Sequence, residues 1–157
     1  MEPIRIDVTV QGLEDLTKRT DAPDVLGPAL RLFFTGVTDE LRGAAMARVP
    51  VDTANLQRSH ATAVDDAAIP RWGMVGTNVT YAVFVHEGTR PHFPPVAALD
   101  GWAKRHGVNP WAVAQAIARR GTRAQPWLRE TWDQDADGII RTWLDRATVY
   151  LGAILEE

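Results

Sequence analysis

Tyr81-Ala82-Val83-Phe84-Val85-His86-Glu87-Gly88-Thr89-Arg90-Pro91 divides the chain. Its first five residues favour strands. A glycine then leads into Pro91, Phe93, Pro94 and Pro95, a stretch that cannot join a sheet because proline lacks the ladder N–H. The reading is a packed strand over Tyr81 to Val85 that gives way to an extended arm over 87–95. An arm of that kind reaches another molecule, which makes Glu87, Arg90, Pro91, His92 and Phe93 the first interface candidates.

Upstream, Ile4, Ile6, Val8 and Val10 alternate with Arg5, Asp7 and Thr9, the period of a strand with one buried face, and Gly12 ends it. Leu13 and Leu16 suggest a short helical turn. Leu26, Leu30, Phe33, Phe34, Val37, Leu41, Ala44 and Ala45 then recur at helical spacing up to Pro50, with Pro28 placed in a first turn. Leu56 to Val64 and Arg71 to Gly76 read as two strands, and Tyr81 to Val85 completes a small antiparallel sheet.

Downstream, Val96, Leu99, Trp102 and Ala103 make a short helix. Asn109 as N-cap with Pro110 at the first helical position starts another, closed by Arg119-Arg120-Gly121. These two form a helical insertion over 96–121. Leu128, Trp132, Ala136, Ile139, Trp143, Ala147, Tyr150 and Ile154 step by fours and threes along one terminal helix, 127–155. The fold class is therefore α+β: a small antiparallel sheet packed by a long amphipathic helix and a long C-terminal helix, within a single domain over 1–157.

Composition narrows the function. The 157 residues fit one core, and a net charge of -3 with 24% charged residues argues against a dedicated duplex-DNA binder. With no cysteine there is neither a disulfide scaffold nor a thiolate metal site. The amino terminus alternates charge with β-branched residues where a signal peptide needs an apolar run, and no window approaches the roughly 18 apolar residues of a membrane span. The chain reads as made in a cytoplasm, without a membrane. Of six tryptophans, Trp102, Trp111, Trp127, Trp132 and Trp143 lie in the carboxyl half, and part of that set is expected at an interface.

Asp133-Gln134-Asp135-Ala136-Asp137-Gly138 opens like a calcium loop, but Leu144 stands where the bidentate glutamate belongs. The same residues continue the helical stripe, with Asp137, Arg141 and Asp145 as an ion-pair ladder on the wet face. His86, Glu87 and His92 are metal-ligand types, yet in a strand His86 and Glu87 point to opposite faces. Glu87 is then better employed pairing with an arginine or accepting backbone N–H bonds at the strand end. Ser59, His60 and Asp52 contain the residue types of a nucleophilic triad without a glycine-flanked nucleophile turn. Arg119, Arg120 and Arg123, with Arg90 and His92, form a basic patch at a helix C-terminus.

Three segments carry a family likeness. Val49-Pro50-Val51-Asp52-Thr53-Ala54-Asn55-Leu56-Gln57-Arg58-Ser59 follows the long helix. Val75-Gly76-Thr77 precedes Tyr81-Ala82 and Val85-His86-Glu87-Gly88-Thr89. Gln125-Pro126-Trp127-Leu128-Arg129 opens the last helix. In that order they resemble the neck and tail-completion proteins of long-tailed bacteriophages, the minor tail-component family encoded between head and tail genes. Ala54 stands where that family has glycine, which leaves a left-handed backbone to Asn55 or removes it. The insertion is also longer than in the plainest members.

The resemblance implies a ring at the head–tail junction of the virion, sixfold, built from copies of this chain and touching neighbouring neck and tail proteins. It implies no cofactor and no chemistry. A ring requires one patch to meet a different patch on the next subunit. The proline arm, Glu87 to Pro95, and the aromatic-rich carboxyl half supply two unlike surfaces, and Arg119, Arg120 and Arg123 are further interface candidates. Two other readings stand beside this one: a metal-binding hydrolase using His86, Glu87 and His92, and a nucleic-acid-binding module using Arg119, Arg120 and Arg123.

Overall fold

The computed structural model describes residues 4–11 and 23–155. The expected end of the first strand at Gly12 and the helical turn at Leu13 and Leu16 lie outside them. In chain order the elements are β1 (Ile4–Thr9), α1 (Pro23–Arg48), α2 (Asn55–Arg58), β2 (His60–Val64), β3 (Trp72–Thr77), α3 (Ala82–Glu87), α4 (Val96–His106), α5 (Pro110–Arg120) and α6 (Trp127–Leu155).

The sheet is antiparallel in the order β1-β3-β2, with Ile6 opposite Val75 and Thr62 opposite the same residue from the other side. Alternation sends Ile6, Val8 and Val75 to one buried face and leaves Arg5, Asp7 and Trp72 exposed on the other. The buried face rests on α1. A Cβ at Gly73 would stand 2.7 Å from Thr38 Cγ2, so glycine lets the central strand lie directly on the helix.

Helices α1 and α6 run antiparallel along their length. Arg48 at the end of α1 donates to Asp135 Oδ1 near the start of α6 at 3.1 Å, while Glu40, two turns back, accepts from Trp143 Nε1 at 2.7 Å. Between them Phe33, Phe34, Val37, Leu41 and Ala45 meet Leu128, Ala136, Ile139 and Ala147 in one cluster that also takes Ile6, Val8 and Val75. Helix α1 is thus the spine, with the sheet on one side and α6 on the other.

Three local expectations need correction. Tyr81 to Val85 is not a strand: α3 covers Ala82–Glu87, and the third place in the sheet belongs to β1. Ala82 and His86, four apart, are the buried pair in that segment, so helical periodicity outweighs the β propensity of its valines and phenylalanine. The strand proposed from Leu56 starts only at His60, because Asn55 to Arg58 turns once as helix first. Pro28 sits in the second turn of α1, which begins earlier than expected. The helices over 96–121 and the terminal helix fall where expected, with Asn109 Oδ1 accepting from the Trp111 N–H at 2.8 Å, although Trp132 and Tyr150 of the terminal stripe are exposed.

Candidate functional site

The three segments singled out in the sequence meet at one buried aromatic cluster. Trp127, from the first turn of α6, is 1% exposed and donates its indole N–H to His60 Nε2 at 2.9 Å. His60 Nδ1 lies 2.9 Å from the Leu56 carbonyl. A carbonyl only accepts and an indole N–H only donates, so these partners hold His60 as the tautomer protonated at Nδ1. The His86 ring stands edge-on to the other side of Trp127, with centroids 5.0 Å apart and planes at 80°.

Around this core each segment is stitched to another. Ser59 and Thr77 hydroxyls lie 2.6 Å apart, Asn55 Nδ2 donates to the Tyr81 hydroxyl at 3.0 Å, and Gln125 N–H donates to the Val85 carbonyl at 3.0 Å. His86 Nδ1 donates to Glu87 Oε1 at 2.6 Å, and Arg129 reaches the same oxygen at 3.3 Å. Glu87 therefore pairs with an arginine, as expected. It also meets His86, which the strand reading had excluded and which the helix makes feasible. Both Glu87 and Arg129 are half-exposed, so their ion pair adds little stability.

The structure places Ser59, His60 and Asp52 in separate contacts and brings no two of them together. Ser59 bonds Thr77 and the Leu56 carbonyl, His60 is committed at both nitrogens, and Asp52 is held by Arg105 and His106. His92 lies on the arm with its Nδ1 against the Arg90 carbonyl and does not join His86 and Glu87. Among the described residues there is no group of three or more metal-ligating side chains. Asp133, Asp135 and Asp137 lie along α6, and Asp135 is taken by Arg48. No ion pair joins Asp137, Arg141 and Asp145 among the described residues, so the expected ladder does not form.

The arm is not free. Thr89 and Thr122 exchange backbone hydrogen bonds, 3.2 Å each way, and His92 N–H donates to the Ile117 carbonyl at 3.4 Å. The segment over 87–95 therefore folds back on the end of α5, and the extended-arm reading is corrected. Proline prevents sheet formation but not two isolated ladder bonds at Thr89. What the arm presents outward is Phe93, 57% exposed, set 6.2 Å from the ring of Trp111, 59% exposed. Arg90, Pro91, Arg119, Arg120 and Arg123 are also exposed, and Arg119 folds onto Gln115 of its own helix. Arg120 and Arg123 line a shallow apolar groove with Val113 and Ile117.

On the body, Val51, Tyr81 and Phe84 are exposed, and a cleft of about 440 Å³ opens between the loop over 50–56 and α4. Asp52 bridges it. Arg105 Nε donates to Asp52 Oδ1 at 2.8 Å, its Nη2 donates to Oδ2, and His106 Nε2 lies 3.4 Å from Oδ1. The Arg105 hydrogen bonds hold the Asp52 carboxyl below the ordinary aspartate range, against a smaller opposing effect of desolvation. Beside it Ala54 has φ 60 and ψ 7, so the alanine itself carries the left-handed turn that had been assigned to Asn55 or to none.

Sequence reading missed the His60–Trp127 bond, the Asp52–Arg105 bridge and the Thr89–Thr122 pairing. Only the last left a trace, the dipeptide Gly-Thr, which stands at 76–77 as well as at 88–89 and 121–122. No helix among the described residues is long and apolar enough to cross a membrane. Comparison with protein-family models, curated proteins and solved structures finds no significant match.

Proposed function

We propose that this protein is a structural component of a bacteriophage head–tail junction, one that assembles with copies of itself as a ring, sixfold by family resemblance, and joins or completes head and tail. The observation that carries the reading is the pair of unlike apolar surfaces on one chain. Phe93 on the arm and Trp111 on α5 stand out side by side, while Val51, Tyr81 and Phe84 are exposed on the body. Large exposed aromatics mark interaction surfaces, and two different patches are what a closed head-to-tail ring requires. The motif segments supply the frame between them, since Trp127 of the third meets His86 of the second and His60, which directly follows the first. Their side chains are used for packing and hydrogen bonding, which favours a scaffold over an enzyme.

Mass spectrometry and immunogold labelling of purified virions test this. The chain is expected at the junction, and a phage carrying Phe93→Ala with Trp111→Ala is expected to accumulate unjoined heads and tails. Virions that lack the chain, or that assemble normally from the double variant, overturn the proposal.

A further inference from the structure

We infer that residues 89–122 form a single hinged hairpin, latched to the body by Asp52, and that this hairpin moves as a unit over the cleft beside Ala54. This inference is independent of the proposed function. It begins at the neck. Gly88 and Gly121 share one backbone conformation, φ 72 with ψ -175 and φ 71 with ψ -160, which only glycine enters readily.

Each glycine is followed by a threonine, and the two threonines pair. The crossing is reciprocal: a Cβ on Gly121 would stand 1.9 Å from the Thr89 carbonyl oxygen, and one on Gly88 would stand 2.5 Å from that of Thr122. The chain thus enters and leaves the hairpin at one point, through two residues free of side-chain restraint.

Beyond the neck the hairpin is self-contained. Helices α4 and α5 pack chiefly on each other, with Ala103 and Ala114 as their buried residues, and His92 closes the arm onto Ile117. Among the described residues, the side-chain hydrogen bonds and ion pairs that tie 90–121 to the rest of the chain all end on Asp52. A compact unit on a two-glycine neck with one polar tie has the parts of a hinge and latch. Release of the tie frees α4 to leave the loop over 50–56, widening the cleft lined by Ala54, Asn55, Tyr81, Trp102 and His106. The same movement carries Phe93, Trp111 and the α5 arginines to new positions.

Spin-label distance measurement on the full chain, which has no native cysteine, tests the inference with labels at Ala112→Cys on α5 and Asp145→Cys on α6, in the wild-type, Asp52→Asn and Arg105→Gln backgrounds. A hairpin that moves as a unit keeps the hydrogen bonds within α4 and α5, so the readout is the distance from hairpin to body. Both variants are expected to melt near the wild-type temperature because the latch is at the surface, and the label–label distribution should broaden and shift by several ångströms. A second pair within the hairpin, Lys104→Cys with Gln115→Cys, should keep its distribution. An unchanged hairpin-to-body distribution would show that Asp52 is no latch. A distribution that changes equally within the hairpin would show that it does not move as a unit.

Discussion

Trp127 Nε1 donates to His60 Nε2 at 2.9 Å across 67 positions of sequence, with both residues buried. The bond joins the start of the terminal helix to the start of β2, and Trp127 also carries the His86 ring against its face. A buried indole N–H and a buried imidazole each cost free energy when unpaired, so each residue fixes the other's position.

Trp127→Phe keeps most of the ring and removes the donor, leaving His60 Nε2 without its partner. The expected loss is about 1–3 kcal/mol, the penalty of an unsatisfied buried acceptor. Trp127→Ala removes the packing as well and should cost about 3–5 kcal/mol, enough to unfold much of the population. Urea denaturation of both variants measures the difference. A phenylalanine variant as stable as the parent would mean that the hydrogen bond contributes nothing net.

Ala54→Gly should stabilise the chain by up to about 1 kcal/mol. The alanine pays about 1–2 kcal/mol to hold φ 60, and glycine removes that strain while giving back about 0.4–1 kcal/mol through a freer unfolded state. Ala54→Val places a β-branched residue in the same conformation and should destabilise. Denaturation midpoints in opposite directions for the two variants check the argument. A less stable glycine variant would show that the methyl group packs in the cleft more than the backbone strains.

The framework of the fold was legible wherever a period ran long enough to average over local preference. The α1 stripe and the alternation of Ile6 with Val8 each bury one face, the α6 stripe does so at Leu128, Ala136, Ile139 and Ala147 but leaves Trp132 and Tyr150 exposed, and Asn109-Pro110 sets a helix start. Legibility failed over Ala82 to Glu87, six helical residues whose composition favours a strand and whose partners, Trp127 and Gln125, lie forty positions on. The arm failed similarly, since Thr89 finds its partner only after two intervening helices. Long-range pairing of short segments leaves no periodic trace, and the repeated Gly-Thr acquires meaning only when the crossing is seen.

The Asp52 latch should weaken in acid. Its carboxyl titrates below the ordinary aspartate value of 3.8 in the folded chain because Arg105, helped by His106, hydrogen-bonds the charged form. A folded-state value below the unfolded one means that the stabilisation is fully present above about pH 3.8 and is lost as pH falls through the folded value. NMR titration of the Asp52 side-chain carboxyl should therefore give a midpoint below that of an unfolded peptide, and Arg105→Gln should raise it. An unchanged midpoint in the variant would remove Arg105 as the cause.

The interface between α1 and α6 offers a test whose sign reverses with background. Gly36 faces the Trp143 indole so closely that a Cβ would stand 2.1 Å from Cδ2, and the same indole is fixed by its hydrogen bond to Glu40 and by the Arg146 guanidinium 4.5 Å above the ring. In the wild type, Gly36→Ala gains up to about 1 kcal/mol of helix propensity but forces a rigid ring to move, an overpacking penalty of about 1–3 kcal/mol, so the net effect is destabilising. Trp143→Ala alone should cost about 2–4 kcal/mol, toward the lower part of the range for truncated aromatics because the ring is only half-buried. With the ring gone nothing opposes the new methyl group, and Gly36→Ala should then stabilise by about 1 kcal/mol. The coupling between the two changes is expected at about 1–3 kcal/mol, readable from a double-mutant cycle in urea. Additive effects would mean that Gly36 and Trp143 are not in contact, and the antiparallel register of α1 on α6 would have to be redrawn.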